Sequence, residues 1–138
     1  MIDDGLHKLA WESGALRGVC ELQFEASRDF VTAYGFEFDN LYATLLAEPD
    51  FDTIGLRFAK LERDSESSLV DVSHQHPWIG ALGQEIRWAW QLINHQGYSD
   101  GVRLEFGSPD SSIEVVVELI VIASHFRLFV PAPSKPAA

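Results

Sequence analysis

The sequence contains one cysteine, Cys20, among its 138 residues, and it has no long apolar run. A single cysteine cannot form an internal disulfide, and it leaves a cysteine-rich metal cage without ligands. No apolar run approaches the roughly 20 residues that a membrane helix requires, and residues 1–4 lack the basic and apolar regions of a signal peptide. We therefore predict a cytoplasmic protein that folds without a disulfide or a cofactor.

Basic side chains are also scarce: 10 lysines and arginines stand against 21 aspartates and glutamates, which gives a formal net charge of −11. The basic residues are scattered singly along the chain. Nucleic acids and anionic membranes are bound through clustered basic side chains, so we predict neither as a partner. The negative charge instead suits a basic protein partner, although acidic residues that only solvate the fold give the same composition.

The sequence motifs of several enzyme classes are absent: there is no G-x-S-x-G elbow, no P-loop, no G-x-G-x-x-G and no H-E-x-x-H. Cys20 alternates with apolar Leu22 and Phe24, which favours a buried, inert thiol over an activated thiolate. The acidic segment 48–52 lacks the spacing of a calcium loop and indicates a solvated hairpin tip. We therefore predict no catalytic residues and favour a protein that is not an enzyme.

Length and composition predict one globular domain over residues 1–130 and a flexible tail, rich in proline and alanine, over 131–138. Leu6, Leu9 and Ala10 stand at helical spacing and predict a short helix that stops at Gly14. Most of the other segments alternate with period two. The alternation predicts strands at 19–24, 39–47, 54–58, 102–106, 113–122 and 126–130, with a loop at 27–35 and a polar surface linker at 62–68.

One segment allows two interpretations. Residues 77–93 would place apolar side chains on one face of a helix that begins at Pro77. We predict instead a strand at 84–94, because tryptophans favour a pleated surface and because Gly80 and Gly83 weaken a long helix. The resulting hairpin consists of strand 84–94, a turn at 97–101 and strand 102–106, with a short helix at 77–82 before it.

These elements predict a mainly β fold, with α+β as the alternative if 77–93 is helical. We expect a strongly bent antiparallel sheet or an open barrel of about six or seven strands, with one or two short helices. The strand 113–122 ends with apolar residues on both faces, from Leu119 to Ile122. It should therefore lie in the interior of the sheet and be buried on both faces there.

A short motif lies in the predicted hairpin: Trp88-Ala89-Trp90, followed by Asn94-His95-Gln96-Gly97-Tyr98-Ser99-Asp100-Gly101. It resembles the W-x-W and N-x-Q-G-Y-x-D pattern of a family of small bacterial proteins of unknown function. Some proteins of that type look like immunity proteins of toxin systems. The resemblance implies a β-hairpin and an immunity-like protein, and it brings no active-site residues with it.

The hairpin supplies five candidate binding residues, which are Trp88, Trp90, Asn94, Tyr98 and Asp100. Large aromatic side chains dominate both cores and binding surfaces. A strand places Trp88 and Trp90 on one face, and we expect that face to pack in the core. Asn94 and Asp100 are expected to hold the turn by side-chain hydrogen bonds, and Tyr98 is harder to assign to packing alone.

Asp71, His74 and His76 are the alternative candidates, because a His-x-His pair on an extended segment points two imidazoles the same way. With a nearby carboxylate, such a pair can hold zinc or iron. The same residues are also typical of a surface loop before Pro77 in which the histidines bind no ligand. We favour this interpretation and predict no metal.

Three hypotheses follow for the function. The first is a non-enzymatic, protein-binding and immunity-like module that meets a basic partner with its acidic surface. The second is a small metal-dependent hydrolase that uses Asp71, His74 and His76. The third is a self-associating structural module, a homodimer that forms through unpaired edge strands.

Overall fold

The computed structural model of the chain describes residues 3–48, 52–108, 110 and 112–131. Within these ranges no helix is long and apolar enough to cross a membrane. The elements, in chain order, are α1 (Asp3–Glu12), β1 (Leu16–Phe24), β2 (Ser27–Phe38), β3 (Tyr42–Glu48), β4 (Thr53–Arg57), β5 (Ser67–Asp71), α2 (Trp78–Ala81), β6 (Glu85–Ile93), β7 (Ser99–Gly107), β8 (Ile113–Ile122) and β9 (His125–Phe129).

Two antiparallel sheets make up the fold, with strand orders β4-β3-β2-β1-β5 and β6-β7-β8-β9. The prediction of a mainly β fold with short helices is confirmed. The prediction of a single bent sheet or open barrel is wrong: the described residues form nine strands in two sheets, and neither sheet is closed or strongly curled. After β5 the chain passes through α2, and the four strands that follow form a sheet of their own.

Two strands lie where the sequence predicts irregular structure. Residues 27–35 belong to β2, which pairs with β1 along its length, and the end of the predicted linker 62–68 belongs to β5, which pairs with the other edge of β1. Period-two alternation is hidden in β2 because its first three residues are polar and exposed, and because bulges shift its register with β1.

The other strand predictions are confirmed with shifted boundaries. β3 begins at Tyr42 because Asp39 and Asn40 form a bend after β2. The predicted acidic tip includes residues 49–51, and the predicted tail includes residues 132–138; both groups lie outside the described residues.

The hairpin of β6 and β7 is confirmed, and the helical interpretation of 77–93 is wrong. Helix α2 ends at Ala81, and Leu82 is already extended. Gly83 follows with a φ of 79°, a left-handed conformation that glycine adopts without steric cost. The helix predicted near the start is confirmed as α1, and Gly14, also at 79°, follows it.

The inner faces of the two sheets share one hydrophobic core with α1 and α2. Trp78 of α2 is 1% exposed, and its ring packs against those of Tyr34 and Phe36. Burying a large apolar side chain contributes ~1.5–3 kcal/mol, whereas a four-residue helix has little stability of its own. Packing of Trp78 therefore holds α2 in place.

Strand β8 lies between β7 and β9, so the predicted interior position is confirmed. The predicted burial on both faces is wrong. Leu119 and Val121 are buried in the core, whereas Ile120 is half-buried and Ile122 is 41% exposed. The outer face of the second sheet therefore meets solvent at this end of the strand.

Candidate functional site

Trp88 and Trp90 lie on the outer face of β6. They are 58% and 51% exposed, and their rings stack with centroids 6.5 Å apart and planes inclined by 28°. The prediction that both side chains share one face agrees with this stacking. The expectation that this face packs in the core is wrong.

A β-bulge at Arg87 explains why the two tryptophans face outward. Ile86 pairs with Phe106, whereas Trp88 pairs with Glu105, so Arg87 is the extra residue in the ladder. One extra residue in a strand reverses the face of every side chain beyond it. Ile86 is therefore buried at 4% exposure while Trp88 meets solvent, although strict alternation places both on the same face.

A charged network lies beside the tryptophan pair. Trp90 Nε1 donates a hydrogen bond to Glu105 Oε2 at 3.2 Å. Arg103 donates from Nε to the same oxygen and from Nη1 to Glu118 Oε2, both at 3.0 Å. These two hydrogen bonds raise the pKa of the Arg103 guanidinium above its ordinary value. Two carboxylates share one guanidinium, so the network keeps one excess negative charge.

A groove of about 500 Å³ runs between α1 and β6, and Trp11 and Trp88 both line it. Trp11 is 77% exposed, and its ring lies 6.0 Å from that of His7, one helical turn earlier. The groove therefore joins the aromatic side chain of α1 to the stacked pair on β6. We call Trp11, Trp88 and Trp90 together the tryptophan surface.

Asn94 and Asp100 hold the turn of the hairpin. The Asn94 side-chain oxygen accepts hydrogen bonds from the backbone N–H groups of Gln96 at 2.9 Å and Tyr98 at 3.2 Å, and its amide donates to Asp100 Oδ2 at 3.2 Å. These bonds agree with the prediction that the two residues stabilise the turn. Asn94 Oδ1, Asn94 Nδ2 and Asp100 Oδ2 are therefore engaged within the hairpin.

Tyr98 is 50% exposed and lines a different groove, of about 470 Å³, between the hairpin turn and β4. Gln91 and Ser99 line this second groove as well. Gln91 Oε1 and Ser99 Oγ are buried atoms that find no hydrogen-bond partner in the described part of the chain. The structure thus separates Tyr98 from the tryptophan surface.

The structure does not gather Asp71, His74 and His76 into a group of metal ligands within the described ranges. The described ranges contain no group of three or more His, Cys, Asp or Glu side chains that could hold a metal ion. His74 and His76 lie in a turn after β5, so the premise of an extended His-x-His segment is wrong. Asp71 Oδ1 accepts hydrogen bonds from the Ser73 hydroxyl at 2.6 Å and the Ser73 N–H at 2.9 Å, which lower the pKa of the Asp71 carboxyl.

Cys20 is half-buried on β1 and lines a pocket of about 310 Å³ with Lys60 and Asp71. Burial raises the pKa of the Cys20 thiol, which keeps it protonated. A protonated thiol is a poor nucleophile. The environment therefore agrees with the prediction of an inert thiol.

Two residues of interest are missing from the sequence-based candidates. Trp11 lies away from the stripe that Leu6 and Leu9 form on α1, and a large aromatic residue outside the core stripe of a helix was the available signal. The second is Glu21, a charged residue within the alternating strand β1, which no sequence motif marks.

Comparison with known proteins identifies the family of this chain. No curated protein and no solved structure matches the chain. A family model does match, over residues 1–134, and the chain belongs to that family, DUF6334, a family of unknown function.

Proposed function

We propose that this protein is a non-enzymatic binding module that recognises a basic protein partner through the tryptophan surface. The observation that carries the proposal is the exposure of Trp88 and Trp90, which stack on each other and are each more than half exposed. Trp11 extends this surface across the groove between α1 and β6. Three neighbouring tryptophans outside the core suit protein recognition better than fold stability.

Apolar area supplies the binding free energy in this proposal. Covering apolar surface yields ~25 cal/mol per Å², and tryptophan is enriched among the residues that dominate protein interfaces. The groove of about 500 Å³ beside Trp88 has room for a side chain of the partner. A partner that fills the groove and covers the stacked rings removes the most exposed aromatic area of the second sheet from water.

Charge favours a basic partner. The chain carries a formal charge of −11, and the network of Arg103, Glu105 and Glu118 adds an excess negative charge next to Trp90. An acidic field raises the encounter rate with a basic protein and fixes its orientation, and salt screens this attraction.

The same network argues against acid–base catalysis at this surface. Glu105 and Glu118 are both ion-paired with Arg103, and Glu105 also accepts from Trp90. A general base takes a proton from its substrate, and an ion pair with a guanidinium competes with that role. Both carboxylates instead serve as structural partners of the Arg103 guanidinium.

An immunity-like function is the finer form of the proposal. It is supported by the resemblance of residues 88–101 to a motif of small bacterial proteins, some of which look like immunity proteins. In this form the partner is a basic toxin whose gene neighbours that of the present chain. Genomic context and the partner's identity test this finer form separately from the tryptophan surface.

Photocrosslinking in cells tests the contact surface. The photoreactive amino acid p-benzoylphenylalanine replaces Trp88 in one variant and Tyr42, which is 41% exposed on the first sheet, in a matched control. We expect a specific crosslinked protein from position 88 and not from position 42. The partner is then identified by mass spectrometry, purified and titrated with the wild-type chain and with the double variant Trp88→Ala, Trp90→Ala.

The titration has a defined outcome for each hypothesis. The proposal predicts at least a ~10-fold loss of affinity in the double variant and weaker wild-type binding at high salt. An unchanged affinity would show that the partner binds elsewhere and that the proposal is wrong. If position 88 crosslinks to a second copy of the chain, and sedimentation shows a dimer that the double variant loses, the surface serves self-association instead.

A further inference from the structure

A cleft opens at the edge of the second sheet opposite β6, between the first sheet and β9. Its volume is about 820 Å³, and we call it the β9 cleft. Apolar side chains of both sheets line it, among them Val31, Val70, Phe126 and Leu128. Polar side chains of β1, of the β1–β2 turn, of the start of β2 and of β5 complete the lining, so the cleft combines an apolar wall with charged groups.

Glu21 of β1 presents an oriented carboxylate in this cleft. The Tyr34 hydroxyl donates a hydrogen bond to Glu21 Oε2 at 2.9 Å, and Gln23 Nε2 donates to Glu21 Oε1 at 3.0 Å. Each carboxylate oxygen has two lone pairs, so each keeps capacity to accept from a ligand. The two internal bonds fix the plane of the carboxylate before anything binds.

Tyr34 is a constant donor in this arrangement. It is 2% exposed, and burial together with the neighbouring Glu21 raises the pKa of its hydroxyl. The hydroxyl therefore stays protonated at physiological pH and can donate its hydrogen bond to Glu21 throughout. Because the donor is buried in the core, the position of the carboxylate is tied to the rigid part of the fold.

Glu21 has no internal counter-ion among the residues that the structure describes. None of the basic side chains in the described ranges forms an ion pair with it. The charged side chains that line the cleft are Glu21, Glu25, Asp29 and Arg28, which together carry a formal charge of −2. A half-buried carboxylate in an acidic cleft favours a cation from outside the chain.

Aromatic rings complete the environment. Tyr34 and Phe126 meet edge to face with centroids 5.4 Å apart, and Phe24 lines the cleft as well. Flat, delocalised cations stack on such rings with a further gain in free energy. Tyr34 and Phe126 are buried in the core, so the half-buried Phe24 is the ring that the cleft offers to a ligand beside the Glu21 carboxylate.

We propose that the β9 cleft binds a guanidinium group, which forms a bidentate pair with the Glu21 carboxylate and packs against the ring of Phe24. A guanidinium presents two parallel N–H donors that match one carboxylate, and it is less strongly hydrated than an ammonium. A hard metal cation fits worse, since calcium requires six to eight oxygen ligands and the cleft holds one oriented carboxylate. The site is independent of the tryptophan surface: the cleft lies at the β9 edge of the second sheet, and Trp88 and Trp90 lie on β6 at the opposite edge.

NMR titration of the isotope-labelled chain tests this proposal with ethylguanidinium as the probe. We expect saturable shifts at Glu21, Gln23, Tyr34 and Phe126. Glu21→Gln keeps the size of the side chain and an acceptor for Tyr34, and it should weaken binding about tenfold or more, because a hydrogen bond to a charged group is replaced by one to a neutral group. Glu25→Gln removes the same charge from the rim of the cleft and should change the affinity by less than about threefold.

The outcomes separate the hypotheses. Equal weakening by Glu21→Gln and Glu25→Gln, or shifts that fall elsewhere on the chain, would overturn the proposal. Thermal melting checks that both variants fold, and the shift map of the wild-type chain decides the question even if Glu21→Gln does not fold. Absence of saturable shifts in the wild type would also reject the site.

A second titration identifies the source of the guanidinium. An arginine tripeptide with blocked ends is compared with ethylguanidinium on the wild-type chain. Binding of the tripeptide that is at least about tenfold tighter assigns the cleft to an arginine of a partner protein, since the peptide backbone then adds contacts. Equal affinity assigns it to a small guanidinium compound.

Discussion

The four tryptophans fall into two classes, although they are the same kind of residue. Trp78 is 1% exposed and anchors α2 in the core, whereas Trp11, Trp88 and Trp90 are 51–77% exposed. The position of each tryptophan within its element decides whether it is buried or exposed. Trp78 points between the sheets, whereas the bulge at Arg87 turns Trp88 and Trp90 away from them. A residue type therefore indicates a role only after its face is known.

Tyr34 gives a prediction at alkaline pH. Its folded-state pKa is raised by burial and by Glu21, whereas an unfolded tyrosine ionises near pH 10. The stabilisation is complete below about pH 10 and is lost as the pH rises above it, because only the unfolded chain releases this proton. We expect this group to lower the free energy of unfolding with a slope that steepens through about pH 10 and approaches ~1.4 kcal/mol per pH unit above about pH 11, measured by urea unfolding between about pH 9 and 11.5.

Tyr34→Phe is the matched control for this measurement. The variant lacks the ionisable hydroxyl, so its free energy of unfolding should decline less steeply above about pH 10, whatever its stability at neutral pH. Equal slopes in the wild type and the variant would contradict the assignment of a buried, protonated Tyr34. The comparison uses slopes, so the lost hydrogen bond to Glu21 does not affect it.

At the scale of elements, the sequence predicts local structure better than pairing. The β6–β7 hairpin is predictable because two alternating runs flank a turn that Asn94 stabilises within a few residues. Strands β2 and β5 are not predictable in this way. Their pairing with β1, and the bulges between β1 and β2, are set by contacts between distant segments. The division of the strands between two sheets is non-local in the same way.

Strand β8 provides a test of this architecture through two neighbouring residues on opposite faces. Val121 is 3% exposed and Ile122 is 41% exposed. Val121→Asp buries an unpaired charge in the core and should lower the free energy of unfolding by roughly 3–5 kcal/mol or unfold the chain. Ile122→Asp places the same charge in solvent and should cost less than about 1 kcal/mol, as measured by chemical denaturation.

The difference between the two variants is the informative quantity. A similar loss in both would mean that the outer face of β8 is covered. Melting of Val121→Asp close to the wild type would mean that β8 does not lie between β7 and β9 against the core.

At the scale of the whole molecule, the candidate sites combine distant parts of the chain. The tryptophan surface needs α1 beside β6, and the β9 cleft needs β1, β2 and β5 opposite β9. Trp88 and Trp90 were predictable as candidates because the residues themselves are conspicuous. Trp11 was open to prediction as a large aromatic residue outside the core stripe of α1, whereas the role of Glu21 comes from neighbours that only the folded chain supplies. The negative charge is known from composition, but its placement around the sites is not.

The last prediction concerns metal and the stability of the whole fold. Asp71 is occupied by Ser73, and His74 and His76 are exposed in the turn after β5, so these three residues do not converge on one ion. A structural metal contributes to folding directly, and a chelator then lowers the melting temperature. We expect no such shift with EDTA, and we expect His74→Ala with His76→Ala to melt like the wild type. Stoichiometric zinc or iron in protein purified without an affinity tag, and its loss in the double variant, would contradict this prediction and favour the metal-dependent hydrolase.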